Sequence, residues 1–116
     1  MKLVLTVEML RAAYDLLNIT PPFIEWNLPD GEDVIFQVKH YKDTWGTYSK
    51  IGKRHEICIS TACMSNLQNL IETMAHEMIH LHERQAKART ANHHSKAFRK
   101  WAEQVCSIHG FDPKAF

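Results

Sequence analysis

Apolar residues recur at helical spacing in three segments of the chain, residues 6–18, 66–84 and 92–108. In each segment they follow the i, i+3, i+4, i+7 rule, which gathers them on one face of a helix. Pro21 and Pro22 end the first helix, because proline lacks the backbone N–H that a helix interior requires. The pattern therefore predicts three amphipathic helices, one near the N-terminus and two in the second half of the chain.

Between the first and second helices the pattern changes to short apolar runs that are typical of strands. Residues 34–41 are rich in β-branched and aromatic side chains, and residues 45–50 and 55–60 form two further runs. The short loop 51–54 predicts a hairpin between the last two, and we interpret residues 23–27 as an additional short strand. The close spacing favours antiparallel pairing. The sequence thus predicts an α+β fold, with an N-terminal helix, a small antiparallel sheet of three to four strands and two further helices.

Length and composition indicate an ordinary globular protein. The 116 residues are the length of one domain, residues 1–116, and 45% hydrophobic with 23% charged residues are usual values. The net charge of +1 gives no general electrostatic reason to bind nucleic acid or a membrane. No apolar run approaches the roughly 20 residues of a membrane span, and no signal peptide is recognisable. The three cysteines include no CxxC pair, which argues against a zinc ribbon and favours reduced thiols in the cytoplasm.

The second predicted helix contains the sequence His-Glu-Met-Ile-His at residues 76–80. Residues four apart on a helix lie about 40° apart around its axis, so His76 and His80 can direct their imidazoles to one point. Two neutral imidazoles at that spacing suit a tetrahedral Zn²⁺ ion. Glu77 lies about 100° from His76 around the axis, beside the ion, where it can accept a proton from water that the ion activates. The zincin peptidases use this arrangement, although the pentapeptide also occurs in helices without metal.

The surroundings of the motif point to a third ligand on the last helix. The apolar residues of the second helix centre roughly 180° from His76, so a metal site on the histidine side needs a covering element. Residues 92–108 can fold back over it, and His94 lies four residues before Phe98 on their apolar stripe, within about 20° of its centre. His93 lies about 100° from that centre. His94 is therefore the predicted third ligand, with a solvated or capping histidine as the alternative.

Other ligand schemes fit the sequence less well. A metzincin would have glycine three residues after the second histidine and another histidine three beyond that, where this chain has Glu83 and Ala86. An acidic ligand from the last helix would be Glu103, which lies well off the apolar stripe. Cys58 and Cys106 are predicted to fill core positions. Glu83 shares the histidine side of its helix, a position that would also suit a solvated face.

Several stretches of the chain together carry a family resemblance. They are residues 69–80, His94-x-x-x-Phe98 followed by Trp101, and upstream residues 14–18, 45–48 and 56–60. These stretches resemble the SprT-like zinc metalloproteases, the group that includes Spartan. The resemblance implies a zincin-like minimal domain in which His76, His80 and His94 hold Zn²⁺ and Glu77 is the catalytic acid/base.

The members of this family are similar in being metal-dependent peptidases, and several cleave proteins that are bound or crosslinked to DNA. The resemblance therefore implies a zinc metalloendopeptidase that acts on protein or peptide substrates, including DNA-associated proteins. Ser95 stands where the family usually has glycine. We expect the substrate to bind as an added strand at a sheet edge beside the active-site helix. The alternatives are a non-catalytic zinc-stabilised domain that binds DNA or protein, and a metal-free interaction domain.

Two further sets of residues are candidates for contacts around the site. Tyr48, on a predicted strand, is a candidate for stabilising the oxyanion or contacting the substrate, although a strand tyrosine is usually a packing residue. The segment 84–100 is rich in basic side chains that suggest a weak DNA contact through phosphates, with a solvated helix face as the alternative. These basic residues are Arg84, Lys87, Arg89, Lys96, Arg99 and Lys100.

Overall fold

The computed structural model describes residues 4–62, 66–86 and 95–116 of the chain. In these ranges helix α1 (Val7–Asn18) precedes the strands β1 (Val34–Lys39), β2 (Gly46–Ile51) and β3 (Arg54–Ser60), and the helices α2 (Leu67–Gln85) and α3 (Lys96–His109) follow. Short 3-10 turns lie at Phe23–Glu25, Gly31–Asp33 and Pro113–Ala115. The predicted α+β fold class and the order of its helices and main strands are confirmed.

The described strands form a mixed sheet rather than the predicted antiparallel one. Their order is β1-β3-β2. β2 and β3 pair antiparallel across a hairpin turn in which Gly52 has a φ of 61°, as the loop 51–54 predicted. β1 pairs parallel with β3, so the antiparallel prediction was wrong for this strand. Residues 57–60 of β3 are all buried, in keeping with its central place between β1 and β2.

Residues 23–27 do not form the predicted strand. Phe23–Glu25 is a turn of 3-10 helix. Phe23 is buried, and its ring meets that of Trp26 edge-on at a centroid distance of 5.1 Å. Side chains three residues apart lie on the same side of a 3-10 turn but on opposite faces of a strand, so contact between the two rings favours the turn.

Helix α1 packs against β1 and α2 and closes one side of the core. Thr6 caps the helix, since its side-chain oxygen accepts a hydrogen bond from a backbone N–H of the first turn. The apolar face with Leu10, Tyr14 and Leu17 is buried, as its spacing predicted. The ring of Tyr14 meets Phe36 of β1 edge-on at 5.5 Å. α1 thereby supports the sheet from the side of β1.

Helix α2 is buried mainly in its middle part, and both of its ends are exposed. Asn66 caps it by accepting a hydrogen bond from the backbone N–H of Asn69 through its side-chain oxygen. Of the six apolar residues on its predicted core face, Leu67 is exposed, Ile71 is half-buried, and the other four are buried: Leu70, Met74, Met78 and Leu81. None of the helices in the described ranges is long and apolar enough to cross a membrane.

Helix α3 begins at Lys96 rather than at residue 92 as predicted. Ser95 is its N-cap, with an extended backbone and a hydroxyl that accepts a hydrogen bond from the backbone N–H of Phe98. Such a cap stabilises the helix start, because it satisfies an N–H that has no partner within the helix. The prediction placed residues 94 to 98 on one continuous helix, but residue 95 is not helical. His94 itself lies outside the described residues.

Candidate active site

His76 and His80 lie one turn apart on α2, with their imidazole rings in contact. The ring centroids are 5.0 Å apart, and the ring planes make an angle of 65°. Two imidazoles that bind one tetrahedral zinc ion through nitrogen have centroids about 5 Å apart. Both side chains are half-buried. The separation of the pair therefore fits two ligands of one zinc ion.

Helix α3 covers both histidines through Phe98, whose side chain is buried. The Phe98 ring stacks on His80 at a centroid distance of 4.5 Å and lies 5.0 Å from His76. The prediction that the last helix covers the histidine side of α2 is thus confirmed. An apolar ring at this place keeps water from one side of the imidazoles and restricts their rotation.

Glu77 projects from α2 toward strand β2, which passes it at Gly46. Its side chain is 4% exposed, and burial raises the pKa of its carboxyl group to about 8. The cause is desolvation, because an apolar environment disfavours the ionised form. Burial thus brings the pKa of Glu77 close to neutral pH, where a carboxyl group can both accept and release a proton.

A cleft of about 280 Å³ opens beside His76 and Glu77. Its walls come from α2, from the start of β2 with the loop before it, and from the C-terminal turn. The lining residues are Asp43, Thr44, Trp45, Gly46, Glu72, Thr73, His76, Glu77 and Ala115. The cleft opens onto both the side chain of His76 and the carboxyl group of Glu77.

Glu83 is a residue of the site that the sequence argument missed. We expected it on a side of α2 that would also suit solvent, but it is fully buried. Its Oε1 lies 3.1 Å from Nδ1 of His80, and its Oε2 accepts a hydrogen bond from the hydroxyl of Ser95. The i, i+3 spacing from His80 to Glu83 was the one available signal, because residues at that spacing are neighbours on a helix.

The sequence profile of the SprT-like family matches residues 15–115 of the chain. The chain belongs to the SprT-like family. The matched range covers the end of α1, the sheet and both later helices, and it includes the predicted ligands and Glu77. A search of curated proteins returned no match. The family is associated with zinc, and membership supports a metallopeptidase-type domain for this chain.

The predicted third ligand of the SprT-like domain, His94, lies outside the described residues and stays a prediction. Within the described ranges no group of three His, Cys, Asp or Glu side chains is placed to hold a metal ion. Glu103 is exposed on α3, in keeping with its low rank as a ligand. Cys58 and Cys106 are buried, as predicted, and burial raises the pKa of both thiols.

Tyr48 of the SprT-like domain is engaged with its neighbour across the hairpin. Its hydroxyl oxygen lies 2.6 Å from Nδ1 of His55, and the two rings are stacked with centroids 5.8 Å apart. Burial raises the pKa of Tyr48 to about 12, although the charge of Arg84 acts in the opposite direction. The role of Tyr48 toward an oxyanion or a substrate stays a prediction.

Four of the predicted phosphate contacts of the SprT-like domain lie at the surface. Arg84, Lys96, Arg99 and Lys100 are exposed. Lys87 and Arg89 lie outside the described residues. Exposure suits a solvated face as well as a DNA contact, so the DNA contact stays a prediction.

Helices α2 and α3 are also joined by an aromatic cluster away from the cleft. The imidazole of His82 stacks on Trp26 at a centroid distance of 4.1 Å, with the ring planes 6° apart. It also meets Trp101 of α3 at 4.3 Å. Trp101, part of the family resemblance, thus fixes the position of α3 against α2 rather than contacting the candidate ligands.

Proposed function

We propose that this SprT-like domain is a zinc-dependent peptidase that hydrolyses peptide bonds in protein substrates. The observation that carries the proposal is the buried carboxyl group of Glu77, which lines an open cleft together with His76, whose ring contacts that of His80. A purely structural zinc site is closed by four protein ligands and has no use for such a carboxyl group. Family membership supports the same activity. DNA-associated proteins are the substrate class that the resemblance suggests.

Three imidazoles hold the ion in this proposal, those of His76, His80 and the predicted ligand His94. Three neutral ligands would leave the ion its full positive charge. When bound, zinc supplies a Lewis acid that activates water and polarises the peptide carbonyl.

Glu77 carries out the proton transfer of the proposed reaction. Its carboxylate accepts a proton from the attacking water and passes this proton to the amine that leaves. The metal-free site holds the pKa of Glu77 at about 8, and a cation on the neighbouring histidines favours the ionised form that accepts the proton. Burial of the side chain keeps bulk water from competing for the same transfer.

The substrate binds as an additional strand along β2. Among the described strands β2 is paired on one side only, with β3, and its other edge is free. A peptide that pairs with this edge gains backbone hydrogen bonds that need little side-chain selectivity. Trp45, directly before the strand, is 48% exposed and offers an apolar wall of the cleft. The strand passes Glu77 at Gly46, which brings the bound peptide to the reacting groups.

The substitution Glu77→Gln tests the proposal, because it keeps the shape of the side chain and removes its ability to accept a proton. We expect the variant to bind zinc as the wild type does and to lose peptidase activity by at least about 100-fold. Zinc content is measured on the purified protein, and activity is measured on an unfolded protein substrate. The matched control is Glu103→Gln, the same change at an exposed position of α3.

Three other results of these measurements would each contradict a different part of the proposal. A Glu77→Gln variant that cleaves as fast as the wild type rules out the proton transfer. Zinc-bound wild type without activity on any protein substrate favours a non-catalytic zinc-stabilised binding domain. Wild type that binds no zinc favours a metal-free interaction domain.

A further inference from the structure

The carboxyl group of Glu83 is fully buried in α2, although the proposed reaction does not use it. Removing a carboxylate from water is costly unless hydrogen bonds and charges compensate for the lost hydration. The groups that form hydrogen bonds with such a buried acid therefore indicate its role.

Both oxygens of Glu83 have a partner from the surroundings of the site. Oε1 lies 3.1 Å from Nδ1 of His80, and Oε2 accepts a hydrogen bond from the hydroxyl of Ser95. An ionised carboxylate only accepts hydrogen bonds. Beside such a carboxylate, Nδ1 of His80 carries the imidazole proton, and Nε2 is the unprotonated ring nitrogen.

We propose that Glu83 is a positioning residue that fixes the tautomer and the orientation of His80. The inference rests on the proposed role of His80 as a zinc ligand. A carboxylate that accepts the second ring N–H of a ligating histidine makes the ligand more basic and holds its ring in one orientation. Loss of such a partner typically weakens metal binding by about 10- to 100-fold.

Ser95 ties this arrangement to the start of α3. Its hydroxyl donates to Glu83 and also accepts the backbone N–H of Phe98, and the Phe98 ring stacks on His80. His80, Glu83, Ser95 and Phe98 are therefore joined in a ring, in which each residue contacts the next and Phe98 contacts His80. A glycine at position 95 has no hydroxyl for either bond, so the serine is what allows α3 to anchor Glu83.

The first test measures the tautomer of His80 in the metal-free protein. Nitrogen-15 chemical shifts of the imidazole, recorded at a pH where the ring is neutral, distinguish a proton on Nδ1 from one on Nε2. We expect the Nδ1–H form in the wild type and a smaller share of this form in Glu83→Gln, whose amide can donate to Nδ1. Glu103→Gln, at an exposed position, is the control that should leave the shifts unchanged.

The second test measures zinc affinity by competition with a chromophoric chelator. We expect Glu83→Gln to bind zinc about 10- to 100-fold more weakly and Glu103→Gln to bind as the wild type does. Ser95→Ala, which leaves Glu83 in place without its second partner, should weaken binding by less than Glu83→Gln. Equal affinity in the wild type and Glu83→Gln would overturn the proposal.

The two measurements separate this inference from the proposed function. A proton on Nε2 of His80 in the wild type overturns the role of Glu83, even if the Glu83→Gln variant does not fold. Wild type that binds no zinc overturns the proposed function, and the tautomer of the metal-free protein still decides whether Glu83 orients His80.

Discussion

Gly46 of β2 lies so close to Glu77 of α2 that a Cβ atom added at position 46 would be 3.2 Å from Oε2 of Glu77. The same atom would lie 2.9 Å from Cγ2 of Thr73 and 3.1 Å from the backbone oxygen of Cys58. The absence of a side chain at Gly46 is therefore what lets β2 approach α2. The width of the cleft beside Glu77 depends on this approach.

The substitution Gly46→Ala should force β2 away from α2 or displace the carboxyl group of Glu77. We expect a loss of about 1–3 kcal/mol in the free energy of unfolding, because an additional methyl group in a tightly packed place must be accommodated by movement. We also expect a lower peptidase rate with unchanged zinc content. Urea unfolding, zinc analysis and a peptidase assay measure the three quantities.

Ser49→Ala is the control for this prediction, since Ser49 lies on the same strand with an exposed side chain. Substitutions at such positions usually change stability by no more than about 0.5 kcal/mol. A Gly46→Ala variant with the stability and activity of the control would show that the approach of the strand is not required.

The features that could be predicted from sequence are those that depend on local periodicity. The spacing of apolar residues located three helices, and the spacing of His76 and His80 placed both rings together on one side of α2. Strand order is different, because β1 and β3 are separated by the whole of β2. The continuous apolar stretch Ile57, Cys58 and Ile59 was the signal that β3 is central, since an edge strand would alternate.

The features that could not be predicted depend on partners that are distant in the chain. Glu83 is a charged residue, and hydrophobic periodicity assigns a charged residue to the surface. Its burial is compensated by Ser95, which lies 12 residues away. The same serine caps α3, so the helix begins later than its apolar stripe suggests. A single polar residue thus explains two of the failures.

Phe98 should contribute both to stability and to metal binding. The ring is buried against His76 and His80, so Phe98→Ala creates a cavity beside both candidate ligands. We expect a loss of about 3–5 kcal/mol in the free energy of unfolding. Phe98→Leu leaves a smaller cavity than Phe98→Ala and should therefore cost less. Zinc affinity should fall in the same order, because the imidazoles lose the surface that restricts them.

Ile108→Ala provides the comparison for Phe98 on the same helix. Ile108 is 48% exposed, so its truncation removes much less buried surface than that of Phe98 and should cost clearly less stability. Chemical unfolding of the metal-free variants and chelator competition measure the two effects. Unchanged zinc affinity in Phe98→Ala, in a protein that still folds, would contradict a role of the ring in holding the ligands.

His55 should make the stability of the hairpin depend on pH. Burial lowers its pKa below the ordinary value of 6.5, and the charges of Lys50 and Arg84 act in the same direction. The unfolded chain then binds the proton more readily than the folded protein does, so stability is lost as the pH falls below about 6.5. Nδ1 of His55 also faces the hydroxyl of Tyr48, which can donate to it only while that nitrogen is unprotonated.

The measurement for His55 is the free energy of unfolding in urea at a series of pH values from about 7 to 5. His55→Gln should reduce the loss of stability on acidification. Lys50→Gln should reduce it only in part, because burial is the larger cause. Proton NMR of the imidazole gives the pKa directly. A value at or above 6.5 in the wild type would refute the prediction.

The free edge of β2 makes the proposed mode of substrate binding testable residue by residue. The backbone oxygen of Trp45 accepts a hydrogen bond from Ser60, which lies opposite it in the antiparallel register. Hydrogen-bonded and non-bonded pairs alternate along such a ladder, so Thr47 and Ser49 bond to β3. The backbone groups of Tyr48 and Lys50 point to the free edge instead.

When a peptide binds to the Glu77→Gln variant, amide hydrogen exchange should therefore slow at every second residue of β2. A bound peptide should slow exchange at Tyr48 and Lys50, whose N–H groups gain partners. Thr47 and Ser49 serve as internal controls, because their N–H groups are already bonded to β3 and should change little. Protection that appears at β1, or in equal measure at all four residues of β2, would mean that the peptide binds elsewhere or that binding only rigidifies the sheet.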